Sequence, residues 1–223
     1  MEKAEDVKPG FWGNVDPKTK KLLIYGVGGL VVGGTACYLV RRAYRNYRGE
    51  KVLKQAIHEG TLASSVAKFN RAIDGAGTDE ELVYEAICEI PTQNAADRFA
   101  AMYKDAYEET FEDALQGDLG SDERQTVNNI IACKPKTKTD KPNYDLLDDW
   151  ITRLTDSAGD WNTDEDGIYR VLWEVPDNNG YSVLSSAIAK NKVHGYSSLT
   201  EYLNRQLDDD ELSHAREIMR RKK

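Results

Sequence analysis

The chain has 223 residues, 30% of them charged and 40% hydrophobic, with a net charge of -8. This suits one large or two small domains with a soluble helical body, and excludes a polytopic membrane protein. Residues 1–54 hold 11 Lys/Arg against 5 Asp/Glu, whereas the rest hold 19 against 33, and so acidic a body argues against nucleic acid as a partner, because phosphate binding needs clustered cations.

Three cysteines, Cys37, Cys88 and Cys133, show no C-x-x-C or Cys/His spacing, which argues against a zinc site or a disulfide scaffold. Cys88 and Cys133 read as small core residues.

A polar tail, residues 1–21, leads into Leu22–Val40, which carries no charge. As a helix this run is about 28 Å long, close to the ~30 Å hydrocarbon core of a bilayer. Lys18, Lys20 and Lys21 precede it; Arg41, Arg42, Arg45 and Arg48 follow, and Tyr25 and Tyr38 sit near its ends, as interfacial side chains do. A single transmembrane helix is expected over 22–40, with the lipid bilayer as its partner. The chain is then a single-pass protein of a cell or virion membrane. The heavier basic flank on the C-terminal side places the body in the cytoplasm. Gly29 and Gly33 form a small-residue seam through which such helices self-associate, giving a homo-oligomer. Residues 41–60 read as a basic juxtamembrane helix or stalk.

From Leu62 the spacing turns helical: Leu62, Val66, Phe69 and Ile73 fall on one face. Gly75-Ala76-Gly77 ends this helix. Thr78 reads as the N-cap of the next, with Glu81 completing a capping box, and Pro91 stops it. Further helices are predicted at about 94–107, 110–116 and 122–133. Residues 135–144, with two prolines, read as a linker. The pattern then restarts: Leu147, Trp150, Ile151 and Leu154 share a face, Thr163 caps the following helix, Pro176 ends it, and helices are predicted at about 178–190, 198–205 and 209–221. No strand alternation appears. Thr78-Asp79-Glu80 and Tyr84 recur as Thr163-Asp164-Glu165 and Tyr169 at an offset of 85. Phe111, Leu115, Leu119, Asp122 and Glu123 recur as Leu199, Leu203, Leu207, Asp210 and Glu211 at an offset of 88. This is an internal repeat: an all-α chain with two five-helix units, 61–134 and 145–223.

The segment Gly75-Ala76-Gly77-Thr78-Asp79-Glu80, in a helix-rich unit of this length, resembles the annexin repeat. Two such repeats with a membrane anchor are more similar to bacterial or bacteriophage chains than to animal ones. The resemblance implies a calcium site in the first repeat. Its ligands are the backbone carbonyls of Ile73, Gly75 and Gly77, joined by the side chain of the distant acid Asp118. Calcium takes six to eight hard oxygens, and glycine lets a turn converge its carbonyls. A second reading stands beside it, a tight helix–helix turn with no ligand. In the second repeat Asn162 replaces the second glycine and Gln206 stands where Asp118 does, so any calcium is confined to the first. Trp161 in the second turn reads as a residue packed on its own domain.

His58, His194 and His214 have no metal or triad spacing, and no phosphate loop is present. The acids Asp208 to Glu211 read as complements to a helix dipole. The chain is therefore expected not to be an enzyme. The first functional reading is a membrane-anchored structural or interaction protein, in its most concrete form a phage virion or genome-delivery component, binding lipid or another subunit with or without calcium. The alternative is a membrane-tethered cell-wall hydrolase.

Overall fold

A computed structural model describes residues 43–53, 60–74, 77–159 and 163–222. The chain divides into two compact units, Met1–Arg48 and Gly49–Lys223. In the first, the described residues 43–48 are helical. The expected transmembrane helix, its Gly29/Gly33 seam and Trp161 lie outside the described residues. Among the described residues no helix is long and apolar enough to cross a membrane.

The second unit opens in helix at 49–53 and continues through ten α-helices. These are α1 Thr61–Ile73, α2 Glu80–Cys88, α3 Gln93–Tyr107, α4 Phe111–Asp118 and α5 Ser121–Cys133. After them come α6 Leu147–Ser157, α7 Glu165–Glu174, α8 Asn178–Asn191, α9 Leu199–Gln206 and α10 Asp209–Arg220. A 3-10 turn at Val193–Gly195 precedes α9. There is no strand among the described residues. The all-α class is therefore as the sequence implies: among the described residues α1 to α5 precede the 135–144 segment and α6 to α10 follow it.

Seven of the ten helices start where a short polar side chain satisfies a first free amide, whereas α1, α5 and α6 follow Gly60, Gly120 and Leu146 without such a bond. Thr92 accepts from Ala95 N, and Asp177 from Gly180 N. Thr110 accepts from Asp113 N, and Ser198 from Glu201 N. The reciprocal capping box belongs to α10, where Asp208 accepts from Glu211 N and the Glu211 carboxylate accepts from Asp208 N. At the start of α2 the N-cap is Asp79, accepting from Leu82 N, and at α7 it is Asp164, accepting from Gly167 N. Thr78 and Thr163 are therefore not the caps that the sequence pattern suggested. Each lies one residue before its N-cap, and each hydroxyl is used elsewhere.

The two halves repeat in their bonding as well as in their sequence. Asp79 N donates to Ala72 O and Asp164 N to Ser157 O, each at 3.0 Å. Ser65 and Lys68 reach Glu89, and Trp150 and Arg153 reach Glu174. Lys134 Nζ donates to Cys88 O, and Lys222 Nζ donates to Trp173 O. The side chains of Gln93 and Asn178 donate to the backbone carbonyls of those same two lysines.

Core composition differs where bonding does not. In the first half Phe69, Phe99, Tyr103 and Phe111 meet edge-on, with Phe69 5.0–5.8 Å from the other three ring centroids. The same positions in the second half are Leu154, Leu184, Ile188 and Leu199. Tyr202 there stands in place of Ala114, and its hydroxyl donates to Leu154 O at 2.6 Å. One large ring on α9 takes up volume that smaller aliphatics give away, which is how a core keeps its packing density through exchange.

The halves pack reciprocally. Helix α5 lies on α7. Helix α10 reaches α2 through His214 Nε2 to Glu81 at 2.5 Å and Arg221 to Glu85 at 2.9 Å. At the centre Tyr84 faces the Trp173 ring, with centroids 6.1 Å apart. The segment predicted as a linker is held down: Pro135 O and Lys136 O accept from Gln93 N and Asn94 N, and Asn143 N donates to Cys133 O.

Candidate functional site

The turn after α1 is built by backbone that folds onto the helix it leaves. Asp74 N donates to Asn70 O and closes the last turn. Ile73 is buried. Gly77 has φ +151°, a conformation that a side chain would strain. Asp79 N then returns to Ala72 O. The Thr78 hydroxyl crosses to the end of α4 and donates to Asp118 O at 2.9 Å. The turn and Asp118, 40 residues apart, are thus neighbours, as the sequence register implies. The bond that joins them uses the Asp118 backbone carbonyl, and the residue is exposed. Of the four residues expected to hold calcium, Ile73, Gly77 and Asp118 are brought to one end of the first repeat, and Gly75 lies outside the described residues. Among the described residues no group of three or more His, Cys, Asp or Glu side chains could hold a metal ion.

The second repeat solves the same turn with a side chain. Gln206 Oε1 accepts from Gly159 N at 3.1 Å and from Thr163 Oγ1 at 3.2 Å, while its Nε2 donates to the Tyr196 hydroxyl at 2.8 Å. The amide ties Gly159 and Thr163, on either side of the second turn, to α9 and to Tyr196 before it. The sequence presents Gln206 only as the loss of an acid; its use as a strut becomes visible once Thr163 is seen to sit outside the helix.

A second polar region lies where the halves meet. Glu174 is fully buried, with one oxygen accepting from Trp150 Nε1 at 3.0 Å and from Arg153. Burial pushes its carboxyl above the ordinary range, against the pull of Arg153, Trp150 and Asn129. On the surface of the first half the balance is otherwise: the Lys68 hydrogen bond holds Glu85, which is not the equivalent of Glu174, below the ordinary range against burial. Lys134 and Lys222 are buried at the ends of α5 and α10. Burial lowers the Lys134 amine to about 8. Burial raises the Cys133 thiol to about 12, with the Glu174 charge acting in the same direction. Lys222 Nζ stands 3.0 Å from Cys88 Sγ and 5.6 Å from the Trp173 ring centroid. A lysine following an amphipathic helix reads in sequence as a solvated end. The equivalence of Lys134 and Lys222, 88 positions apart, is the signal that marks them as structural.

No family model, curated protein or solved structure matches the chain. The resemblance to annexin repeats accordingly rests on the residues quoted for it.

Proposed function

We propose that the chain is a membrane-tethered helical interaction module, made of two annexin-like repeats, whose first turn takes up calcium. The tether is the uncharged run 22–40 between its basic flanks. The body is an acidic pair of five-helix units, which anionic headgroups would repel. A cation at the first turn would offset that repulsion and bridge the module to a lipid headgroup or an anionic partner.

The observation that carries this reading is the contrast between the two turns. Thr78 reaches Asp118 in one, and Thr163 reaches the Gln206 amide in the other. One repeat brings a carboxylate residue to its turn, and the other brings a neutral strut that closes the turn by itself. A site with one carboxylate and several carbonyls is weak, on the order of 10⁻⁴–10⁻³ M, in the range of extracellular calcium modules.

Calorimetric titration of the full chain in detergent micelles with calcium tests it. One ion per chain is expected, lost in Asp118→Asn and retained in Gln206→Ala. Absence of binding heat, or heat that survives Asp118→Asn, refutes the calcium reading. The tether is tested separately by alkaline carbonate extraction of membranes: the full chain is expected in the pellet, and its release into the supernatant refutes the span.

A further inference from the structure

We infer that the basic end of the helical body docks on the acidic end of a second copy of this chain, in a head-to-tail contact. The two ends exist because α2, α5, α7 and α10 run in the same direction. Where they finish, Lys134 Nζ donates to Cys88 O, and Lys222 Nζ donates to Trp173 O and stands 3.0 Å from Cys88 Sγ. Where they begin, the Tyr169 hydroxyl donates to Glu211 O, and His214 pairs with Glu81. Thr78, just before α2, is bonded to Asp118, just before α5.

The end where these helices begin is acidic: the first turns of α2, α5, α7 and α10 carry two, two, two and three Asp/Glu. The end where they finish is basic. Arg220 and Arg221 end α10, and Lys136, Lys138 and Lys141 stand exposed on the segment after α5. That segment leaves and re-enters at one place, since Asn143 N donates to Cys133 O at 2.8 Å. It is braced within by Thr137, whose N and Oγ1 both donate to Asp140. The three lysines are thus presented from a fixed loop.

Acids in a first turn and bases in a last turn complement the helix dipole, an effect that fades within that turn. It accounts for much of the acidic end, but Lys136, Lys138 and Lys141 lie past the end of α5, and among the described residues none of them pairs with an acid. Three solvated cations on a body with 19 Lys/Arg against 33 Asp/Glu after residue 54 make a surface whose complement is anionic. A second copy carries that complement, held in place by four packed helices. Because the ends belong to opposite termini of the same helices, a copy that takes one neighbour still offers its other end to the next, unlike a dyad contact. A contact between exposed charges is weak in solution. Confinement to one surface strengthens it by raising the effective concentration. The contact itself requires neither calcium nor the membrane span.

Sedimentation velocity of the full chain in zwitterionic detergent micelles, with EDTA present, tests it. At about 0.01–0.1 M salt, species that grow with protein concentration are expected. They are expected to vanish at about 1 M, where screening reaches about 3 Å. Two triple variants neutralise one end each: Lys136→Gln with Lys138→Gln and Lys141→Gln, and Asp122→Asn with Asp166→Asn and Asp209→Asn. Each alone is expected to associate about tenfold more weakly than wild type. Mixed in equal amounts, they are expected to recover one intact contact and to stop at pairs, which a general effect of net charge would not produce. Wild type that stays unassociated at low salt, association that survives high salt, or a mixture no better than its parts overturns the inference. Lysine acetylation of single chains in nanodiscs supplies the rival outcome. Protection of Lys136, Lys138 and Lys141 by anionic lipid, without association in micelles, assigns this end to headgroups and also overturns it.

Discussion

Arg153 and Lys68 occupy equivalent positions on α6 and α1, yet removing them is expected to have very different costs. Arg153 pairs with Glu174, whose side chain is 0% exposed, whereas Lys68 pairs with Glu89, whose side chain is 36% exposed. Arg153→Met leaves a carboxylate in the core with the Trp150 indole and the Asn129 amide, neither of which carries charge. Removing one partner of a buried pair costs about 3–5 kcal/mol. Lys68→Met leaves Glu85 with Arg221 and Glu89 with Ser65 and water, and exposed pairs are worth about 0–1 kcal/mol. For a folded unit of this size the first corresponds to a fall of about 6–20 °C in melting temperature, and the second to no more than about 4 °C. Thermal unfolding followed by circular dichroism at pH 7 compares them. The pH dependence adds a sign. Glu174 has a raised folded pKa, so its contribution to stability is fully present below the unfolded value and is lost as pH rises through the folded one. Removing Arg153 raises the folded value further. The penalty of Arg153→Met is therefore expected to be largest at neutral pH and to shrink toward pH 4. Equal losses for the two variants, or a penalty that grows on acidification, would refute the assignment of Glu174 as the buried partner.

Other outcomes follow from the same packing. Lys134 has a folded pKa of about 8 against 10.5 for a free amine, so its contribution to stability falls as pH drops through the folded value and is fully present above the unfolded one. Denaturant unfolding of wild type and Lys134→Met from pH 7.5 to 10.5 is expected to show the wild type gaining on the variant by on the order of 3 kcal/mol. Gly180→Ala on α8 would place a methyl 2.8 Å from Val175 and 3.2 Å from Tyr144; a loss of about 1–3 kcal/mol is expected by chemical denaturation. Gly49→Ala would drive a methyl into the Tyr107 ring, and faster limited proteolysis within 43–60 is expected.

Most of the helical architecture is legible in the sequence, because the apolar spacing and the prolines at 91 and 176 are local signals. The helices predicted at about 94–107 and 209–221 are found at Gln93–Tyr107 and Asp209–Arg220. What misleads is the choice between neighbouring capping residues. Threonine followed by an acidic pair is a fair N-cap pattern, but in both repeats the aspartate takes the cap, and the threonine is drawn away by a tertiary partner, Asp118 O or Gln206. Those partners lie about forty residues on, beyond any local window. The nearness of Thr78 to Asp118 carries no local signal in the sequence. The buried lysines were illegible for the opposite reason: composition marks lysine as exposed, and only the carbonyls at the ends of α2 and α7 make burial tolerable.

The reciprocal contacts of α5 with α7 and of α10 with α2 are of the kind that two identical subunits form across a dyad, but here both partners lie on one chain. A short tether between them, itself bonded down, keeps each at an effective concentration in the millimolar range. Their pairing is unimolecular, so dilution does not undo it and the melting temperature of the body is expected to be independent of protein concentration. The surface a lone repeat would offer to a copy of itself is already occupied, and any higher assembly of this chain must be built from other faces.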